Sequence, residues 1–161
     1  MDRISKEIYY LDIAKTVAER GTCLRRKFGA IIVKDDVIIS TGYNGAPRGR
    51  ANCCDLQFCL RDKMQIPRGE RYELCRSIHA EANAIIAASR DMMLGSTLYL
   101  ACIHPETGEV LGGTCSCQMC KRMVINAGIK EVVVMESPDS FTRYDTADWV
   151  ENDDSLGTIG Y

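Results

Sequence analysis

The sequence predicts an α/β domain in which helices pack on a sheet of mixed strand direction. Two short β-branched runs, Phe28 to Val33 and Val37 to Ser40, flank the polar connection Lys34-Asp35-Asp36 and are typical of a hairpin. Beyond this hairpin, strand patterns alternate with helix patterns, as in layered α/β folds. A helix between two sequential strands implies a right-handed crossover and parallel pairing, so antiparallel and parallel pairs are both expected.

The helices and the remaining strands follow from local periodicity. Residues 3 to 20 are predicted to form an amphipathic helix that Gly21 ends. Its apolar residues recur at helical spacing: Ile4, Ile8, Leu11, Ala14 and Ala18. Two helices and two strands are predicted downstream: His79 to Arg90, Cys117 to Ala127 before Gly128, Thr97 to Cys102, and Val132 to Met135.

Four stretches show no regular pattern. Thr41 to Arg50 is a loop rich in Gly, Asn and Pro, and Pro105 to Gly113 is a second loop. Residues 51 to 77 have no clear period, and a stretch this long needs a specific reason to be ordered within a domain. The tail from Ser137 is polar and carries two candidate anchors: Trp149 and Val150.

The composition fits a single folded domain over residues 1–161, with 46% hydrophobic and 26% charged residues. The formal net charge of −2 argues against a nucleic-acid binder, which is usually basic. No apolar run has membrane-spanning length, and Met1 to Tyr10 lacks the plan of a signal peptide, so a cytoplasmic protein is expected. In that reducing compartment, the nine cysteines favour metal ligands over disulfides.

Two short motifs are predicted to meet at a zinc site. His79-Ala80-Glu81 and Cys117-Gln118-Met119-Cys120 each open a predicted helix. Cys117 and Cys120 are three residues apart, so they share one face of a helical turn, and the helix N-terminus favours thiolates there. With His79 as the third protein ligand, a catalytic zinc keeps its fourth position for water.

Glu81 is the candidate catalytic residue, because its carboxylate is expected to reach that water without ligating the metal. Exchanging an amine on an aromatic ring for oxygen requires a nucleophile at neutral pH, which zinc supplies by lowering the pKa of water. It also requires protons for the ring nitrogen and the leaving ammonia, and one carboxylate can serve both transfers. H-x-E followed by P-C-x-x-C is the signature of zinc deaminases of nucleobases.

Each motif has a simpler interpretation when it is taken alone. A single His-x-Glu is mostly a capping or surface feature, and C-x-x-C also serves thioredoxin-like redox chemistry. The Gly-rich loop Gly42 to Gly49 alone would be an ordinary turn. Because both metal motifs occur in this order and both open helices, the zinc site is the favoured interpretation.

Four segments resemble the deoxycytidylate (dCMP) deaminase family, over roughly residues 5 to 135. They are TCLRRKFGAIIV from Thr22, TGYNGAPRG from Thr41, IHAEANAI from Ile78, and CQMCKRMVINAGIKEVVV from Cys117. The resemblance implies the cytidine deaminase fold, a five-stranded mixed sheet with helices on both faces. It implies these roles: zinc on His79, Cys117 and Cys120, Glu81 as proton shuttle, and Asn44 in contact with the sugar or base.

The implied reaction is deamination of dCMP to dUMP and ammonia. Deaminases of tRNA adenosine, cytosine or cytidine share the zinc site, so the TGYNG-PRG loop is the feature that favours dCMP. A catalytically silent zinc or nucleotide-binding module is the alternative from another class, although such a module would not need Glu81. The resemblance also implies a homo-oligomer such as a hexamer, with dCTP and dTTP as effectors.

The sequence departs from the family beside the zinc motif. Ser116 stands where the family usually has proline, and serine is a favoured N-cap, so zinc binding is expected to persist. The loop Ile103 to Thr114 is longer than in many relatives. Cys115 adds a thiol that competes with Cys117 as a ligand, although Cys117 has the helical spacing to Cys120.

The resemblance further implies a second, structural zinc, because phage members of the family hold one partly with cysteines that match Cys23 and Cys53. Cys59 and Cys75 would complete a four-thiolate site and order residues 51 to 77. The alternative is that these cysteines are small buried hydrophobic residues.

A nucleotide phosphate needs a cationic partner, for which arginine is well suited. The candidates lie in or near the matching segments or after the last predicted strand: Arg25, Arg26, Arg48 and Arg143. Arg26 and Tyr144 are the residues chosen as substrate-binding.

Overall fold

The computed structural model describes residues 2–157, in which five strands form one sheet. The strands are β1 (Lys27–Lys34), β2 (Val37–Tyr43), β3 (Thr97–Ile103), β4 (Glu131–Ser137) and β5 (Ser140–Asp145). Their order across the sheet is β2-β1-β3-β4-β5. β3 and β4 pair in parallel and the other neighbours pair antiparallel, which confirms the predicted mixed sheet.

The helices of the described chain flank this sheet. They are α1 (Lys6–Ala18), α2 (Cys53–Leu56), α3 (Leu60–Lys63), α4 (Ala80–Ile86), α5 (Arg90–Met93), α6 (Gln118–Ala127) and α7 (Thr146–Glu151), with 3-10 turns at Tyr72–Leu74 and Asp154–Gly157. Within residues 2–157, no helix has both the length and the apolar character that crossing a bilayer requires.

Two apolar cores lie on opposite faces of the sheet because successive side chains of a strand alternate between faces. Val133 and Met135 of β4 pack in the core that α1 covers. Val132 and Val134 pack in the core that α4 and α6 share. β4 is therefore buried on both faces, which explains why its sequence is an unbroken apolar run rather than an alternating one.

The β1–β2 hairpin turns through two residues in left-handed conformation, Asp35 with φ of 49° and Asp36 with φ of 63°. Such a turn matches the twist of the flanking strands, and aspartate tolerates positive φ. The Tyr10 hydroxyl donates to the Asp36 carboxylate at 2.6 Å and ties the turn to α1. β2 continues to Tyr43, so the loop predicted from Thr41 begins three residues later than the composition indicated.

The helix predicted over His79 to Arg90 is shorter in the structure and is followed by a second one. α4 ends at Ile86, the backbone becomes extended at Ser89, and α5 begins at Arg90. The break lets Met93 enter the core beside α6. Alanine-rich composition favoured one continuous helix, but tertiary packing overrides that preference.

The tail after Ser137 forms more regular structure than its polar composition predicted. β5 adds an edge strand to β4, and the Asp145 carboxylate accepts from the Ala147 amide at 2.9 Å to cap α7. Trp149 packs against the core as predicted, whereas Val150 is 61% exposed and is not an anchor. β5 escaped detection because an edge strand with exposed side chains lacks the apolar signal of a buried one.

Candidate active site

The zinc motifs occupy the starts of two helices that face each other. His79 immediately precedes α4, and Cys117 is the N-cap of α6. The Cys117 sulfur accepts from the Cys120 amide at 3.5 Å, so the helix holds the first thiol over its own first turn. Cys120 lies in that turn and is fully buried. The sequence spacing thus places both sulfurs at one end of α6, as predicted.

The three predicted ligands converge with the geometry of a tetrahedral metal centre. Nδ1 of His79 lies 3.5 Å from the Cys117 sulfur and 3.4 Å from the Cys120 sulfur. Zinc bonds of normal length at a tetrahedral angle separate a nitrogen and a sulfur ligand by about 3.6 Å. Within residues 2–157, these three side chains form the group of metal-ligating atoms that lie within 4.8 Å of one another. The donor set therefore fits zinc.

Charge at the site places a thiolate on one of the two cysteines. The Cys120 thiol and the His79 ring stabilise the Cys117 thiolate and lower the pKa of Cys117 to about 4, whereas the bond to Cys117 and burial raise the pKa of Cys120. Burial opposes a charge on His79, but bonds to Cys117 and Cys75 outweigh it and raise the pKa of His79 to about 10. A thiolate and a neutral imidazole are the states that ligate zinc, so metal binding would release protons from His79 and Cys120.

Glu81 lies beside the ligands without joining them. It is 4% exposed and faces the cavity that His79 and Cys117 also line. Burial raises the pKa of this carboxyl above its ordinary value. A buried carboxyl with a raised pKa that lies near a metal centre is suited to accept and return protons near neutral pH.

The cavity at this site, about 170 Å³ in volume, is lined by residues of the metal motifs and by cationic side chains. His79, Glu81 and Cys117 belong to the first group. Four arginines belong to the second: Arg25, Arg26, Arg61 and Arg68. A ligand in this cavity would meet the candidate metal centre and a cationic surface at once.

Asn44, the predicted contact to sugar or base, lines this cavity and is 6% exposed. Its side-chain oxygen accepts from the Phe28 amide and its nitrogen donates to the Arg26 carbonyl, each at 2.9 Å. These bonds attach the Gly-rich loop to the start of β1. Since an amide has two N–H groups and two lone pairs, Asn44 keeps capacity for a ligand.

One wall of the cavity is built by a residue that the sequence did not single out. Arg61 is 5% exposed, and its guanidinium donates to the carbonyls of Pro67 at 2.9 Å and Glu70 at 2.8 Å. It also lies 4.4 Å from the centre of the Tyr72 ring, whose edge meets His79 at a ring separation of 5.2 Å. This chain of contacts orders much of residues 51 to 77 and supports a zinc ligand.

The four thiols predicted to hold a second zinc lie in this same region. Cys23 and Cys75 line the active-site cavity, and Cys53 is buried. Burial raises the pKa of Cys53, and the nearby Cys23, Cys59 and Cys75 raise it further. In the described chain they do not form a group within the 4.8 Å that the His79 centre shows. The second zinc therefore stays a prediction.

The structure bears on two further predictions: Cys115 as a competing zinc ligand and Tyr144 as a substrate contact. Cys115 lines the cavity but lies outside the group formed by His79, Cys117 and Cys120, so the geometry favours Cys117 as the ligand. Tyr144 stacks near Trp149 and contacts Cys115 rather than lining the cavity. Its assignment to substrate stays a prediction that the geometry does not favour.

The fold and site define a zinc-binding deaminase, and comparison with known proteins gives the same class. Residues 4–136 match the cytidine and deoxycytidylate deaminase zinc-binding region, and the chain belongs to this family. It is 36% identical over 137 residues to a deoxycytidylate deaminase of Mycobacterium phage D29, covering 83% of this chain and 96% of the relative.

The chain is also similar to a longer relative and to a solved structure of about its own length. A deoxycytidylate deaminase of Schizosaccharomyces pombe is 34% identical over 81% of this chain, which spans 37% of that relative. The crystal structure of a dCMP deaminase from cyanophage S-TIM5 in apo form superposes with a TM-score of 0.58 at 26% identity, covering 92% of this chain and 94% of the other. This likeness confirms the predicted cytidine deaminase-like fold.

Proposed function

We propose that the protein deaminates dCMP to dUMP and ammonia, with water as the second substrate. The observation that carries this proposal is that one cavity is lined by the candidate zinc ligands His79 and Cys117, by Glu81 and by arginines. A cytosine ring beside these zinc ligands and Glu81 would leave its 5′-phosphate for the arginines. The names of the relatives from phage D29 and fission yeast support the same substrate.

The residues of the chain divide the chemistry among them. Zinc held by His79, Cys117 and Cys120 would lower the pKa of water and so supply a hydroxide nucleophile for C4 of the ring near neutral pH. Glu81 accepts the first proton of the water and passes it to ring N3, then accepts the remaining hydroxyl proton and passes it to the 4-amino group, which leaves as ammonia. The walls of the cavity hold the ring beside Glu81, and this fixed orientation of the reacting groups lowers the entropic cost of the reaction.

The arginines that line the cavity suit the 5′-phosphate of a nucleotide. Arg26 and Arg68 line the cavity, and Arg25 does so while pairing with Asp62 at 3.3 Å. Arg143 instead bonds the carboxylates of Glu7 and Glu131, so it is not a phosphate partner. The proposed phosphate partners are therefore Arg26, as predicted from the sequence, and Arg68.

An ammonia-release assay tests this function directly. Purified protein is given dCMP, CMP, deoxycytidine, cytosine and adenosine under identical conditions. Losing one charge-assisted phosphate contact costs about 1.5–3 kcal/mol, so kcat/KM for dCMP should exceed that for deoxycytidine by tenfold or more. Equal values for the two would refute the dCMP assignment and favour a nucleoside deaminase.

A matched pair of variants locates the phosphate contact. Arg68→Gln should raise KM for dCMP and leave KM for deoxycytidine unchanged, because only dCMP carries the phosphate. Arg20→Gln removes an exposed arginine outside the cavity and should alter neither value. A homo-oligomer such as a hexamer and regulation by dCTP and dTTP stay predictions from the family resemblance, and the cytoplasm as the compartment stays a prediction from the sequence.

A further inference from the structure

Thr114 presents a buried hydroxyl that has no partner within the described chain. The residue is 4% exposed, and its Oγ1 makes no hydrogen bond to any of residues 2–157. Its side chain lines the cavity that contains His79, Glu81 and Cys117. Because buried polar groups in proteins are nearly always hydrogen-bonded, an unsatisfied hydroxyl at a cavity wall points to a partner that enters the cavity.

Hydrogen bonds and close packing hold the backbone of the loop that carries Thr114. The amide of Leu111 donates to the Cys102 carbonyl at 2.8 Å, and the amide of Gly113 donates to the Glu136 carboxylate at 2.6 Å. A Cβ at Gly112 would lie 2.4 Å from the Glu136 carbonyl oxygen, so the loop lies directly on the end of β4. A hydroxyl on such a support is preorganised for binding.

The position of Thr114 favours contact with the base over contact with the phosphate. It precedes the candidate ligand Cys117 by three residues, and its side chain lines the same cavity as His79 and Glu81. The arginines that suit a phosphate come from separate segments, at residues 25, 26 and 68. A neutral hydroxyl also donates well to a ring carbonyl oxygen.

We propose that the Thr114 hydroxyl binds the pyrimidine ring by donating a hydrogen bond to its 2-carbonyl oxygen. This role rests on the proposed function, since it takes a cytosine nucleotide as the substrate. The 2-carbonyl oxygen is common to dCMP and dUMP, so Thr114 contacts substrate and product alike. Thr114 is thereby a substrate-binding residue in the loop that precedes the candidate zinc ligand Cys117.

Thr114→Val tests the contact, because valine keeps the shape and removes the hydroxyl. Affinity for dUMP, measured by calorimetry on zinc-loaded protein, should fall on the order of tenfold. The kcat/KM values for dCMP and deoxycytidine should fall by the same factor, since both carry the ring. Without nucleotide, the variant should melt at or above the wild-type temperature, because an unsatisfied buried hydroxyl has been removed.

Two further variants make the result specific. Thr114→Ser keeps the hydroxyl and should bind dUMP within a few-fold of wild type. Ser96→Ala removes another buried hydroxyl without a partner in the described chain, on a side chain that does not line the cavity, and should leave dUMP affinity unchanged. If Thr114→Val does not fold, Thr114→Ala is measured in the same way.

The outcomes separate this role from the function on which it rests. Wild-type protein that binds dUMP but releases no ammonia from dCMP sinks the proposed reaction, while Thr114 is judged by the ratio of variant to wild-type dUMP affinity. Unchanged dUMP affinity in Thr114→Val overturns the contact. A large loss of melting temperature in that variant also overturns it, since the hydroxyl would then serve the fold.

Discussion

Gly42 of β2 lies against the backbone of α4, where a Cβ would stand 2.4 Å from the Ala80 carbonyl oxygen and 2.4 Å from the Ala84 amide nitrogen. The Asn83 side chain donates to the Tyr43 carbonyl at 2.8 Å and holds the same contact from the helix side. Because His79 immediately precedes α4, this close approach sets where the zinc ligand meets Cys117 and Cys120. Gly42 thus influences the position of the candidate zinc ligand His79 through packing.

Replacing Gly42 with alanine should therefore damage both stability and zinc binding. The added methyl group cannot fit without moving α4 away from β2, and overpacking of this kind costs about 1–3 kcal/mol. Thermal denaturation should show a lower melting temperature, and elemental analysis a lower zinc content after dialysis. Gly157→Ala, at a position with open space around it, should change neither quantity.

Cys120→Ala should carry one zinc fewer per chain than wild type. The variant leaves two protein ligands where a catalytic zinc site uses three, so metal is held weakly. Elemental analysis of purified protein measures the count. Cys102→Ala is the control, because Cys102 is equally buried but lies outside the ligand group. An unchanged count in Cys120→Ala would refute the ligand assignment.

Glu81→Gln separates proton transfer from structure. Glutamine keeps the size and hydrogen-bonding oxygen of the side chain but does not titrate in the useful range. General acid–base catalysis contributes about 10²–10⁴-fold, and one group here serves several transfers, so kcat for dCMP should fall by at least about a thousandfold. The variant should keep its zinc and its affinity for dUMP. Turnover near that of wild type would overturn the mechanism, and loss of zinc would make Glu81 a ligand.

The zinc content per chain also tests whether the thiols around Cys53 hold a structural zinc. If Cys23, Cys53, Cys59 and Cys75 hold a structural zinc, wild type contains two zincs per chain and Cys53→Ser contains one. That variant should also melt at a lower temperature, since metal binding at such a site contributes to folding free energy. A wild-type count of one would remove the second site and leave these cysteines as packing residues.

The catalytic centre was predictable because its information is local. His79 and Glu81 lie two residues apart, Cys117 and Cys120 lie three apart, and both pairs begin helices in the structure. Helix geometry alone puts each pair on a common face at a helix N-terminus. Gly128, predicted to end α6, is its C-cap with φ of 80°. These features depend on a few neighbouring residues, so they can be recognised in the sequence without knowledge of the tertiary structure.

The rest of the site depends on where distant segments meet. Arg61 and Thr114 have no local pattern that distinguishes them from surface residues, yet the fold buries both at the cavity. Arg68 likewise joins Arg26 only through the loop that Arg61 holds. The sequence by itself determined the mixed α/β fold and which residues meet as candidate zinc ligands beside Glu81, since periodicity and spacing encode them. Only the tertiary structure decided which arginines and which hydroxyl line the cavity, because burial is set by contacts between residues far apart in the chain.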